Sequence, residues 1–227
     1  MDNYGFVKVA AAVPQVAVAD CARNAERIVA LAQQAARRGV ELVAFPELAV
    51  TGYTCADLFL QPALLDAADE ALGEIMRQTR KLPLALIVGL PLRHEDRLYN
   101  CAAVVAQGRL LGVVPKSYIP NYAEFYEARW FASGAGIEEE RITAAGQEAD
   151  FGTELTFAVN GAEFGIEICE DLWVASPPSS RLALNGAKLI FNLSASPEGV
   201  GKHAYLRELV AQQSARTHTC LLYTSPS

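Results

Sequence analysis

Three residues of this chain have the types and surroundings that nucleophilic chemistry needs. Cys169 ends an alternating stretch, Gly165-Ile-Glu-Ile-Cys-Glu-Asp-Leu-Trp173, with two acids directly after it. A thiol at such a strand end is held rigidly and can attack a carbonyl carbon. Glu47 follows a short apolar run and a proline in Val43-Ala-Phe-Pro-Glu-Leu-Ala-Val-Thr-Gly-Tyr53. Apolar neighbours raise a carboxyl pKa and suit it to general-base work. Lys116 leaves another apolar run, in Val113-Val-Pro-Lys-Ser-Tyr-Ile-Pro-Asn-Tyr122. A cation there can hold a developing oxyanion or lower the pKa of a nearby thiol. Each residue taken singly has a plainer reading: a solvated strand-end acid, a lysine with a packed stem, a small buried hydrophobe. Together they place a base, a cation and a nucleophile on three strand ends, where sites of α/β proteins gather.

The other titratable residues form weaker sets. A papain-like pair would need Cys169 and His203, but the local pattern of such proteases is missing. Cys55 lies in a loop near Glu47 and is a weaker rival nucleophile, while Cys21 and Cys101 fall at a helix start and inside a strand. Five cysteines at wide spacing, with no CxxC, read as reduced thiols. His94, His203 and His218 are scattered, so no metal site is expected.

The elements that must position these residues can be read from periodicity. Residues 6–13 and 41–45 read as buried strands around a helix that Asp20 caps and that ends near Gly39, a parallel crossover unit. A helix is expected over 63–80. Strands are expected over 84–92, 98–106 and 109–114, the last two joined by Gln107-Gly108. Residues 155–159 and 162–168 flank Asn160-Gly161, a strong hairpin signal. A helix over 181–187, a strand over 188–193 and an amphipathic helix over 204–217 follow. The longest irregular segment is 115–153, a length that favours a functional role over a plain connection. The fold class is therefore α/β, with two mixed sheets covered by helices.

Composition narrows the function. Hydrophobic residues make up 52% and charged residues 20% of 227, which is globular and not disordered. A net charge of −7 argues against a nucleic-acid binder, and no apolar run is long enough to span a membrane. The N-terminus, with Asp2 and one early base, Lys8, does not read as a signal peptide. A cytoplasmic location is expected.

The order Glu, Lys, Cys in these contexts resembles the carbon–nitrogen hydrolase (nitrilase) superfamily, and within it the glutaminase domains of glutamine-dependent NAD⁺ synthetases. The pieces that carry the resemblance are Phe45-Pro-Glu-Leu48, Thr51-Gly-Tyr53, Pro115-Lys-Ser-Tyr-Ile-Pro-Asn-Tyr-Ala-Glu-Phe-Tyr-Glu127, Ile168-Cys-Glu-Asp-Leu-Trp173, Asn192-Leu-Ser-Ala-Ser-Pro197 and Gly201-Lys202. The resemblance runs from about residue 6 to 219. The resemblance implies an α-β-β-α sandwich and a thioester mechanism on L-glutamine, with Glu47 as base, Lys116 as oxyanion holder and Cys169 as nucleophile. It further implies Tyr122, Glu170, Ser196 and Lys202 as substrate-binding positions, with Tyr53 in support. Glu124, with Glu127 as second choice, matches the acid that orients the lysine.

The resemblance also implies that released ammonia serves conversion of deamido-NAD⁺ to NAD⁺ in a synthetase domain on the same chain. ATP and Mg²⁺ belong to that domain, and no cofactor is expected in this one. Homo-oligomers are usual in the superfamily. No phosphate-binding glycine-rich motif occurs in this sequence. The hydrolase domain is expected over 1–219, cut short before its last strands, with 220–227 a non-native tail. Two other readings stay open: a stand-alone amidase or nitrilase, and a non-catalytic remnant.

Overall fold

The structure, a computed structural model, describes residues 5–225. β1 (Val9–Ala11), α1 (Cys21–Arg37) and β2 (Leu42–Ala44) form the expected parallel crossover. The Asp20 carboxylate caps α1 by accepting from the Arg23 N–H at 3.1 Å. α2 (Pro62–Thr79) opens on a proline, at the helix end where a missing N–H costs nothing. It leads into the antiparallel run β3 (Ala85–His94), β4 (Arg97–Ala106) and β5 (Arg109–Pro115).

The segment read as irregular contains a hairpin, β6 (Glu140–Ala144) and β7 (Gln147–Phe151). Its signal was a period of two. Ile142, Ala144, Ala149 and Phe151 are buried and alternate with polar residues, while Ala145 and Gly146 both take positive φ at the turn. β7 pairs in parallel with β5. This completes a seven-stranded mixed sheet, ordered β1-β2-β3-β4-β5-β7-β6.

The second sheet has four strands. β8 (Thr156–Val159) and β9 (Ala162–Ile168) form the expected hairpin, with Asn160 at φ 46° and Gly161 at φ 83°. α3 (Pro178–Leu184) starts three residues earlier than expected. β10 (Leu189–Leu193), α4 (Lys202–Thr217) and β11 (Cys220–Thr224) follow. The order is β11-β10-β9-β8. Residues 220–224, expected to belong to a non-native tail, pair in parallel with β10 as an edge strand. Residues 226 and 227 of that tail lie outside the described residues.

The two sheets pack face to face. Leu42, Ala44, Ile87, Ala102 and Val104 meet Phe164, Ile166, Ile168, Phe191 and Leu193 in one buried layer. The alternate residues, among them Val43, Leu86, Val88 and Ala103, face α1 and α2 in a second core. Leu182, Ile190 and Leu172 pack under α3 and α4, against Leu209 and Val210. A residue period of two thus sorts each strand between two apolar layers, and the result is the α-β-β-α sandwich. Among the described residues no helix is long and apolar enough to cross a membrane.

One close approach matters to the site. The chain leaving β2 turns at residues 45–48 directly over β3 at Gly89. A Cβ at Gly89 would lie 2.4 Å from the Pro46 carbonyl oxygen and 2.6 Å from the Leu48 nitrogen. That is backbone, which cannot swing aside as a side chain can. Gly89→Ala should therefore force the Glu47 turn off the sheet and cost about 1–3 kcal/mol. A fall in the urea midpoint at unchanged slope checks this.

Candidate active site

The site lies at the carboxyl ends of β2, β5, β9 and β10. Glu47 stands on the turn after β2, Lys116 directly after β5, and Cys169 directly after β9. All three are buried, at 2%, 0% and 5% exposure. The structure therefore brings the three predicted chemical groups to one end of the sandwich.

Their contacts are specific. Lys116 Nζ donates to Glu47 Oε1 at 2.7 Å and to both oxygens of Glu127 at 2.9 Å. Glu47 Oε1 also accepts from Asn100 Nδ2 at 2.7 Å, and its Oε2 from the Ala195 N–H at 2.9 Å. Tyr53 donates its hydroxyl to Glu127 Oε1 at 2.7 Å. A buried ammonium is thus matched by two carboxylates, and the carboxylates by further donors. Buried charges survive only in such company.

The acid beside the lysine is Glu127, buried at 1% exposure, where the sequence reading put Glu124 first. Glu124 is exposed. The physical reason is local: the backbone tightens at residues 121–127, and the N–H of Glu127 returns to the Pro120 carbonyl at 3.1 Å. Glu127 then opens a three-residue 3₁₀ turn, Glu127–Arg129, and its side chain is buried.

Electrostatics follow from burial. Burial opposes the Lys116 charge, yet the charges of Glu47, Cys169 and Glu127 outweigh it and hold the ammonium above its ordinary range. Burial, reinforced by Glu47, raises Glu127 against the pull of Lys116. Burial and then the Glu47 charge push the Cys169 thiol up to about 12, while Lys116 and a hydrogen bond from Ser194 draw it down. The free thiol is therefore protonated at neutral pH and needs a base at the moment of attack.

Cys169 sits in a strained turn. Its φ is 48°, in the left-handed region that costs a residue with a Cβ about 1–3 kcal/mol. Asp171 holds this turn. One oxygen accepts from the Ile168 N–H at 2.9 Å, and the other from the N–H groups of Ser117 and Tyr118 at 3.1 and 2.8 Å. A single buried carboxylate thus ties the cysteine turn to the backbone that follows Lys116. Burial raises its pKa to about 7, against those N–H donors.

The remaining predicted positions form two groups at the mouth of the site. Tyr122 donates its hydroxyl to Glu170 Oε2 at 2.9 Å. Lys202, the first residue of α4, donates to Ser196 Oγ and to the Pro197 carbonyl at 3.0 Å, and its ammonium lies 5.6 Å from the Trp173 ring centre. His203 is exposed and faces Glu198, so the papain-like pairing with Cys169 is not formed. Asn100 and Ser194 contact the central groups and escaped the sequence reading. The cue for Asn100 was a polar residue inside an otherwise apolar strand, at 0% exposure. Among the described residues no group of three or more His, Cys, Asp or Glu is placed to hold a metal ion.

Comparison with known proteins places the sequence and the fold. Residues 8–221 match the family model described as carbon-nitrogen hydrolase. A glutamine-dependent NAD(+) synthetase of Mycobacterium tuberculosis is 42% identical over 98% of this chain, but that match covers 33% of the relative. The chain thus spans about a third of the length of the curated relatives it matches. A crystal structure of a glutamine-dependent NAD(+) synthetase from Cytophaga hutchinsonii superposes with a TM-score of 0.86, at 29% identity, over 96% of this chain and 36% of that one. An amidase of the nitrilase superfamily from Nesterenkonia shares the fold, with a TM-score of 0.75 at 18% identity over 96% of this chain and 76% of its own. By sequence and fold, this chain belongs to the carbon-nitrogen hydrolase family.

Proposed function

We propose that this chain is the glutaminase domain of a glutamine-dependent NAD⁺ synthetase, and that it releases ammonia from the side-chain amide of L-glutamine. The observation that carries the chemistry is the buried Glu47–Lys116–Glu127 cluster beside the Cys169 thiol. A pair of opposite charges at the mouth supports glutamine over a plain amide. Lys202 suits the α-carboxylate and Glu170 the α-ammonium, with Tyr122 and Ser196 as their hydrogen-bond partners. The names of the relatives support the same substrate.

In the reaction Glu47 takes the Cys169 proton as sulfur bonds to the amide carbon. The carbonyl π pair moves to oxygen. Neutralised Glu47 relaxes its hold on Lys116, whose N–H can then turn to the oxyanion. As the oxyanion collapses the C–N bond breaks, and Glu47 returns the proton to the departing nitrogen, giving ammonia and a thioester. Water then gives its proton to Glu47 and adds to the thioester. Collapse breaks the C–S bond as Glu47 passes that proton to sulfur, which restores the thiol and leaves glutamate. Glu127 and Tyr53 keep Lys116 in place throughout, and Glu124 has no part. No cofactor enters these steps. The ammonia would serve an ATP- and Mg²⁺-dependent domain that converts deamido-NAD⁺ to NAD⁺, in a cytoplasmic homo-oligomer.

Incubation with glutamine tests this directly. Glutamate should appear with the purified chain, and Cys169→Ala should abolish it. Hydrolysis of other small amides or nitriles but not of glutamine would replace this reading with a stand-alone amidase, and no hydrolysis at all with a remnant. Glu47→Gln keeps the shape but cannot take a proton, so kcat should fall about 10²–10⁴-fold. Finally, the raised thiol pKa has a definite sign. Below it the thiolate fraction grows about tenfold per pH unit. Alkylation of Cys169 by iodoacetamide, followed by peptide mass spectrometry, should keep rising up to pH 10 without levelling at the ordinary thiol value near about 8.5.

A further inference from the structure

We propose that Ser194 is a further catalytic residue, whose hydroxyl donates to the Cys169 sulfur and stabilises the thiolate as its proton leaves. The proposal rests on the reading of Cys169 as the nucleophile and goes beyond the groups named for that chemistry above.

The argument begins with the lysine. An ammonium has three N–H donors. Lys116 directs its donors to Glu47 Oε1 and to the two oxygens of Glu127. It therefore acts on sulfur through its field and not through a hydrogen bond. Ser194 Oγ lies 3.3 Å from Cys169 Sγ as a donor. Ser194 is fully buried, so no water competes for that proton. The Ser196 N–H donates to the same oxygen at 3.2 Å, which uses a lone pair and orients the hydroxyl. The Tyr223 hydroxyl also touches it. With the phenol as donor, both acceptor sites of Ser194 are filled and its one proton is left for sulfur.

The placement follows from the sheet. β10 runs parallel to β9 with Leu193 opposite Ile168, so the residue after each strand meets the other: Ser194 and Cys169. Two residues back on the same face, Asn192 Nδ2 lies 3.4 Å from the Cys169 carbonyl oxygen and 3.2 Å from Glu167 Oε1. Glu167 is itself buried and accepts from the Ser179 N–H at 3.0 Å. The end of β10 thus grips the nucleophile at its carbonyl and at its sulfur. The charged and titratable groups that face Cys169 from other elements are Glu47, Lys116, Glu127, Tyr53, Tyr122 and Tyr223. Glu47 and Glu127 oppose the thiolate and Lys116 favours it.

The test is the alkylation rate of Cys169 by iodoacetamide at pH 7.5, read by peptide mass spectrometry because the exposed Cys220 reacts as well. Ser194→Ala should slow it about tenfold, the loss expected for one hydrogen bond to a charged group. Ser194→Thr keeps the hydroxyl and should stay within about threefold of wild type. Thermal melts confirm that the variants fold, and Ser194→Gly carries the same expectation if alanine does not fold. Wild-type rates for the alanine or glycine variant would overturn the proposal, as would equal slowing by alanine and threonine. Alkylation needs no glutamine. If the wild type alkylates but releases no glutamate, the substrate assignment fails and the role of Ser194 is still decided. A wild-type Cys169 that resists alkylation at every pH would overturn both.

Discussion

The structure depends on one ammonium taken out of water. Lys116 has no exposed surface, and burying a lone charge in a protein interior is prohibitive. Glu47 and Glu127 make its burial possible, but they bring a second cost, because two carboxylates on one cation repel each other. Asn100, Tyr53 and the Ala195 N–H offset that cost by donating to the carboxylate oxygens. Removing one partner from such a buried set typically costs about 3–5 kcal/mol, so every member constrains the others. The same balance suits the cluster to catalysis. A proton moved onto Glu47 is felt at once by Lys116 and Cys169.

The scaffold makes this arrangement rigid by building it from strand ends. Glu47, Lys116, Cys169 and Ser194 each follow a different strand, and the strands are fixed by two packed sheets. Connections across the site reinforce them. The buried Asp171 carboxylate joins the cysteine turn to the lysine segment by accepting from backbone N–H groups of both. Gly89 lets the Glu47 turn lie flat on β3. The mouth is different in kind. Tyr122 and Glu170 are more exposed than the central groups, and Lys202 stands at a helix start.

Glu47, Lys116 and Cys169 were legible in the sequence because each stands where a strand-like run stops, apolar for Glu47 and Lys116 and alternating for Cys169, and such runs are read directly from residue type. The strand–helix–strand unit and the Asn160-Gly161 hairpin were legible for the same reason. The 140–151 hairpin was not. Its strands are short and half polar, and its turn carries Ala145-Gly146 in place of a stronger signal. Glu127 was ranked below Glu124 because both lie in one acidic, aromatic stretch. Only the tight backbone between Pro120 and Glu127 shows which acid turns inward. Asn100 carries no motif of its own, and within Asn192-Leu-Ser-Ala-Ser-Pro197 nothing local marks Ser194 apart from Ser196. Their importance lies in partners 53 and 25 residues away.

The sequence by itself determined the chemistry available: a thiol, a carboxylate and an ammonium, each at a strand end, in an α/β chain with two mixed sheets. Those properties are local, since side-chain type and periodicity carry them. Tertiary structure alone decided which carboxylate shares the lysine, which hydroxyl reaches the sulfur, and that Asp171 couples the two catalytic segments. These are properties of approach between distant strands. Hydrogen bonds need donor and acceptor within about 3.5 Å, a distance fixed by sheet register and packing and not by neighbours in the chain.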